Sequence, residues 1–184
     1  MTLSHILLGR QLTQLPANCY NKGMHGLTIF TARYLLFLMP LLPLYVLLHL
    51  KRPAQRRLVY QAILATVLAF ILAKVATQLI SSPRPFIADG VTPFFTSARD
   101  NGFPSDHTLM AGLVAFTTLL YSRRLGLVAL VLAVLVGSAR VVSGVHHGID
   151  IIGGLVLSGL GVYAINYFFS RYYRSSKTAP AHND

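Results

Sequence analysis

Five apolar stretches, each near twenty residues long and separated by polar connections, constrain this chain more than any other feature. A hydrocarbon layer is about 30 Å thick and a helix rises about 1.5 Å per residue, so roughly 20 apolar residues cross it. Inside lipid every backbone N–H and C=O must be paired within its own segment, which leaves the helix as the form such stretches take. The expected spans are Leu27–Leu50, kinked by Pro40 and Pro43, then Leu58–Ile80 with one buried charge, Lys74. A third runs from Ser105 to just before Arg123-Arg124, a fourth over about Leu125–Val142 and a fifth over Ile149–Phe169. The polar connection Ser81–Pro104 joins the second and third. Leu3–Leu15 is expected as a short interfacial helix, and 175–184 as a disordered cytoplasmic tail. The fold class expected is all-α, a polytopic membrane helical bundle with about five transmembrane helices.

Charge supports the same reading. Charged residues make up only 11% of the chain, against about 25% in ordinary soluble domains, and its five acidic residues are all Asp. The formal net charge of +11 is gathered at the ends of apolar runs, as expected for contact with anionic lipid. A nucleic-acid binder would instead carry a basic stripe on a soluble fold, so no nucleic-acid partner is expected. With Cys19 as the single cysteine no internal disulfide can form, and helix packing must hold the fold. Ile6-Leu7-Leu8 is cut short by Gly9 and Arg10, below the roughly 7–15 apolar residues of a signal peptide core, so the amino terminus is expected to be retained.

Orientation follows from Lys and Arg. Lys51, Arg52, Arg56 and Arg57, then Arg123 and Arg124, then Arg171, Arg174 and Lys177 all fall on one side when the helices alternate. That side is expected to be the cytoplasm, with Arg10, Lys22 and Arg33 weakening the asymmetry without reversing it. The opposite side receives the 81–104 connection, the start of the third helix and the 143–148 turn.

Two polar clusters meet on that outer side: Phe103-Pro104-Ser105-Asp106-His107, and Arg140 followed by His146 and Asp150. His146 and Asp150 lie four apart, so on a common helix they share a face and can hydrogen-bond. An Asp that fixes one ring nitrogen leaves the other free as nucleophile or base. The same spacing also fits a pair that only satisfies buried polar atoms. His147 is a rival at three-residue spacing, which spacing alone does not exclude. Arg140, and Arg84 within Ser82-Pro83-Arg84-Pro85, are the guanidinium groups that could bind phosphate oxygens in bidentate fashion, or snorkel to headgroups. Ser105 is an expected N-cap whose helix start offers free N–H groups to an anion, and His107 follows in the first turn.

Arg84-Pro85, then Pro104-Ser105-Asp106-His107, then Arg140-x5-His146-x3-Asp150 resemble, in order, the three signature motifs of the type 2 phosphatidic acid phosphatases. The subgroup they look most like is the bacterial undecaprenyl-pyrophosphate phosphatases, whose second motif also reads Pro-Ser-Asp-His. The resemblance runs from the first helix to the fifth. It implies a lipid phosphatase domain over 1–174 in the bacterial cytoplasmic membrane, facing the periplasm or exterior. It also implies no metal and no cofactor, with an isoprenoid lipid phosphate as substrate and membrane lipids as partners. His146 would attack the terminal phosphorus to give a phosphohistidine that water hydrolyses. Asp150 would orient His146, His107 would protonate the leaving group, and Arg84, Arg140 and Ser105 would hold the phosphate. The resemblance selects His146 over His147, because only His146 has the required separation from Arg140.

Three positions depart from the family pattern. Thr77 stands where a Lys usually precedes the first-motif Arg by seven residues. Lys74 lies one turn deeper, about 4.5 Å along the axis, and is the candidate to reach the phosphate in its place. Ala139 replaces a Ser before the third-motif Arg, and Asp106 replaces a common Gly. A carboxylate beside phosphate repels it, so Asp106 is expected to cap the third helix or pair with an Arg such as Arg99. Gly153, Gly154, Ser158 and Gly159 are expected to serve close helix packing.

Overall fold

The computed structural model describes residues 20–178; the stretch Leu3–Leu15, Cys19 and the end of the expected tail lie outside the described residues. The described chain is helical: α1 (Tyr20–Arg33), α2 (Leu35–Leu38), α3 (Leu41–His49), α4 (Arg52–Leu79), α5 (Pro85–Ala88), α6 (Asp106–Leu119), α7 (Arg123–Val142) and α8 (Gly148–Thr178). α8 thus reaches into the segment expected as a tail.

Three of these helices, α4, α7 and the Gly148–Arg171 part of α8, are long and apolar enough to cross a membrane. The expected first span is broken. Its Gly23–Arg33 and Leu35–His49 parts meet at 50°, and taken as one bent span they supply a fourth crossing. The bend falls at Tyr34 rather than at Pro40 and Pro43, and no residue type at Tyr34 explains it. Pro40 makes the smaller interruption, because it has no N–H to donate and its ring crowds the carbonyl four residues back. The third expected span is α6, whose 14 residues rise only about 21 Å. α4 begins six residues before the expected start because Pro53 is tolerated in a first helical turn, so the charged segment simply extends the apolar helix.

α6 is short because it sits inside the bundle. It packs against α7 and α8 along its length and touches α4, while α4 lies against α8 and α1 against α7. Small residues let these backbones approach: Ala65, Ala69 and Ala73 on α4 meet Leu109 and Leu113 of α6 and Val162 of α8. Ala129 and Ala133 of α7 meet Ala111 and Ala115 of α6 beside Leu36 and Met39. Within lipid this dense contact does the work that the hydrophobic effect does in water. At Gly154 an added Cβ would lie 3.0 Å from the backbone of both Ser105 and Leu109, so α8 touches the start of α6 with no side chain between them. Antiparallel alternation then brings the end of α4, the 80–105 connection, the start of α6, the end of α7 and the start of α8 to one end of the bundle.

Candidate active site

At that end the connection after α4 is tied down by polar bonds. Asn101 donates to the carbonyls of Thr77 (2.9 Å) and Ile80 (2.7 Å), and its Oδ1 accepts from the Ser82 backbone (2.8 Å). The Gly102 N–H donates to the Ser82 carbonyl at 2.8 Å. These bonds hold Ser82-Pro83-Arg84 against the starts of α6 and α8.

His146 lies at the centre, in the turn between α7 and α8, and is 2% exposed. Its Nε2 is 3.1 Å from Arg84 Nη1 and 3.2 Å from Arg140 Nη2. Guanidinium nitrogens only donate, so Nε2 must carry the lone pair and Nδ1 the proton. Nδ1 faces Asp150 Oδ2 at 3.3 Å. Asp150 is fully buried, and it also accepts from Ser82 Oγ (2.8 Å) and the His147 N–H (2.9 Å). Burial pushes the His146 ring below its ordinary 6.5; Arg140 and Arg84 push the same way, and the Asp150 hydrogen bond opposes them. The ring is therefore held neutral with its free lone pair toward two cations.

The rival His147 points elsewhere: its Nε2 pairs with Asp89 at 3.1 Å, and only its backbone reaches Asp150.

Arg84 and Arg140 are both buried yet differ in their partners. Arg84 Nε and Nη2 donate to Asp100 Oδ1 (3.0 and 2.8 Å), and Nη1 donates to Ser97 Oγ and the Val145 carbonyl, both at 3.1 Å. Arg140 reaches the Ala32 carbonyl only at 3.5 Å, and its buried Nε has no hydrogen-bond partner among the described residues. The Phe95 ring lies beside both Arg140 and Arg33, at 5.5 and 5.2 Å from their guanidinium carbons, a cation–π arrangement.

Ser105 occupies the N-cap position of α6 but makes no capping bond with its side chain. Its N–H goes to the Asp150 carbonyl (3.0 Å) and its Oγ accepts from Thr108 (3.2 Å). It therefore locks α6 to α8. His107, half-buried in the first turn of α6, is near enough for the charges of Arg140, His146 and Arg84 to act on it. Asp106 is exposed and, among the described residues, takes neither a capping bond nor an ion pair with Arg99; its charge acts on Arg140 instead. At the first turn of a helix a carboxylate is favoured by the dipole without any partner.

Lys74 is exposed on α4 and lines a cleft of about 200 Å³ with Thr77, Arg84, Asp100, Pro104 and Asp106. Thr77, at the family's Lys position, spends its hydroxyl on the carbonyls of Ala73 and Phe103. The cleft adjoins Arg84, and His146 is not among its lining residues. Among the described residues no group of three His, Cys, Asp or Glu side chains gathers as a metal site would need.

Sequence reasoning missed Ser82, Ser97, Asp100 and Gly102. Ser82 directly precedes Pro83-Arg84 and so was visible as a neighbour of the motif. Ser97, Asp100 and Gly102 lie in an irregular connection whose path no periodicity reveals.

A family model described as the PAP2 superfamily matches residues 58–174, which includes the site residues from Lys74 to Asp150. The chain belongs to this superfamily. It is a membrane PAP2 phosphatase, all-helical and multi-pass. Among its relatives is the bacitracin transport permease protein BcrC of Bacillus licheniformis, 34% identical over 138 residues, covering 74% of this chain and 68% of that one. The undecaprenyl-diphosphatase BcrC of Bacillus subtilis is 26% identical over 153 residues, covering 83% and 77%. The crystal structure of a transmembrane PAP2 type phosphatidylglycerolphosphate phosphatase from Bacillus subtilis superposes with a TM-score of 0.58 at 26% identity, covering 87% of this chain and 80% of that one.

Proposed function

We propose that this PAP2 phosphatase removes the terminal phosphate of a polyprenyl pyrophosphate, converting undecaprenyl pyrophosphate to undecaprenyl phosphate and inorganic phosphate. The observation that carries the reading is the His146 lone pair held between Arg84 and Arg140 while Asp150 retains the opposite proton. The undecaprenyl-diphosphatase relative supports the choice of substrate.

In this reading the terminal phosphate enters between the guanidiniums, and its oxygens take over donors that now face Nε2, together with the unpartnered Arg140 Nε. Nε2 attacks the phosphorus and forms an N–P bond as the bridging P–O bond breaks. His107 gives its proton to the departing lipid phosphate oxygen. The developing imidazolium is stabilised by the buried Asp150 carboxylate. Water then attacks the phosphohistidine, losing its proton to His107, and the N–P bond breaks to release phosphate and restore both histidines. Arg84 and Arg140 neutralise the equatorial oxygens in both steps. Lys74, on the cleft beyond Arg84, is assigned to the inner phosphate of the pyrophosphate.

The site is proposed to face the exterior of a bacterial cytoplasmic membrane. The support is that the basic clusters Lys51–Arg57 and Arg123-Arg124 lie at the other end of the bundle. A second substrate, phosphatidylglycerophosphate, is favoured by one observation, the likeness to the Bacillus subtilis enzyme.

The deciding experiment is phosphate release by purified protein in detergent with EDTA, using undecaprenyl pyrophosphate and phosphatidylglycerophosphate in parallel. The expected result is faster release from the polyprenyl substrate, retained in His147→Ala and abolished in folded His146→Ala. Faster release from phosphatidylglycerophosphate would reassign the substrate, and activity in His146→Ala would overturn the mechanism.

A further inference from the structure

The opposite end of the bundle carries a second opening, of about 510 Å³, larger than the cleft beside Arg84. It is lined by Arg52, Pro53, Arg56, Arg57 and Tyr60 of α4 and by Phe169 of α8. The 28 residues of α4 rise about 42 Å, so this opening is a full helix length from His146.

Its wall is fixed by a polar network that the proposed chemistry does not use. Arg57 Nη2 donates to Asn166 Oδ1 (3.2 Å) and Ser170 Oγ (3.1 Å). The same Asn166 oxygen accepts from Gln61 Nε2 at 3.1 Å, and the Tyr121 hydroxyl donates to Gln61 Oε1. Gln61 is 3% exposed, so α4, α8 and the α6–α7 turn are joined here through buried polar atoms. Such a network is costly in a lipid-embedded bundle unless it is satisfied, and a satisfied one holds its members rigidly. Arg57 is thus set in place rather than left to snorkel.

Among the described residues, charge at this end has one sign. The described carboxylates, Asp89, Asp100, Asp106 and Asp150, all belong to the active-site end, and the chain has no Glu. Arg52 and Arg56 are exposed beside the opening, and no carboxylate among the described residues lies on their side. The start of α4 adds the positive end of a helix dipole, with no side-chain cap on it. Val59, Tyr60 and Ile63 continue from the opening up α4 as an exposed apolar face.

We propose that this opening is a second anion site, built to take a phosphate group between Arg52, Arg56 and the anchored Arg57. The phosphate comes from an anionic phospholipid whose acyl chains lie along Val59, Tyr60 and Ile63, or from free inorganic phosphate. Forked guanidiniums suit phosphate oxygens better than a diffuse cationic surface does. The site does not depend on the phosphatase reading, and an inactive parent protein would leave it standing.

The test uses the full chain in detergent, titrated with phosphatidylglycerol, with phosphatidylcholine as neutral control, and separately with inorganic phosphate. Bound molecules are counted by native mass spectrometry. The comparison is Arg52→Gln/Arg56→Gln against Arg123→Gln/Arg124→Gln, which removes the same charge from the same end. The expected result is one phosphatidylglycerol retained by the parent and the Arg123/Arg124 variant, with retention lost in the Arg52/Arg56 variant. Phosphate release from substrate should be unchanged in both. Binding of inorganic phosphate with the same sensitivity, in place of phosphatidylglycerol, would support the site with free phosphate as its occupant. Equal loss in both variants would mean diffuse attraction, and no loss in either would mean no site; each overturns the proposal. The single exposed change Arg56→Gln is read the same way if the double variant fails to fold.

Discussion

Gly102→Ala should damage catalysis by displacing the carboxylate that orients His146. A Cβ at this position would lie 2.9 Å from Asp150 Oδ2, 3.0 Å from the Ser82 carbonyl and 3.4 Å from Arg84 Cγ. The first contact is closer than a real Cβ tolerates and the second is tighter than most, so something must give by a few tenths of an ångström. Residue 102 cannot retreat easily, because its N–H is bonded to Ser82 at 2.8 Å. Asp150 must then shift, and with it the carboxylate that orients the His146 ring. Overpacking of this kind costs about 1–3 kcal/mol of stability. Displacing an orienting group by up to an ångström costs about 10²-fold in rate, so a shift of a few tenths should lower kcat by roughly tenfold or more. KM should change little, since the Arg84 contact is ordinary. Initial rates of phosphate release, with folding checked by circular dichroism, would measure this. Gly159→Ala is the control: its Cβ would meet Phe116 at an ordinary 3.4 Å, and its activity should match the parent. A folded Gly102→Ala enzyme with the parental kcat would refute the idea that Asp150 must be held in position.

Other perturbations have defined directions. Asp150→Asn removes the acceptor that keeps the proton on Nδ1, and kcat should fall by about 10⁴-fold, as when a buried triad Asp is changed; a loss below tenfold would contradict the tautomer assignment. Because burial holds His146 below 6.5, it is neutral at pH 7, and kcat/KM should fall on acidification only below pH 6.5; an acidic limb above that value would count against it. Asp100→Asn frees Arg84 from a competing carboxylate that is 66% exposed, a pair worth about 0.2–1 kcal/mol, so KM should drop by up to about fivefold with kcat unchanged. A raised KM would mean that Asp100 positions Arg84 for substrate rather than competing with it.

The apolar runs made the long helices legible, because segment length and hydropathy are all that lipid demands of a span. Their ends proved harder to read, since charged first turns such as Arg52–Arg57 continue a helix without being apolar. The bend at Tyr34 left no mark, and α6 falls short because its surroundings are protein rather than lipid. At the site, His146, Asp150, Arg84 and Arg140 were legible because motif spacing fixes which helix ends they occupy. The bonds that complete the site come from Ser82, Ser97 and Asp100, and from backbone packed on Gly102. Their placement depends on how residues 80–105 fold over the bundle, which has no period to read. Asp106 was expected to need a partner, but an exposed first-turn carboxylate needs none.

The central claim is that phosphate passes through His146 before it reaches water. The most direct measurement is the steric course at a terminal phosphorus made chiral with oxygen isotopes and sulfur, followed from the polyprenyl substrate to the released product. Two in-line displacements, first by His146 and then by water, predict net retention of configuration. Net inversion would mean that water attacks the substrate directly, and it would contradict the account.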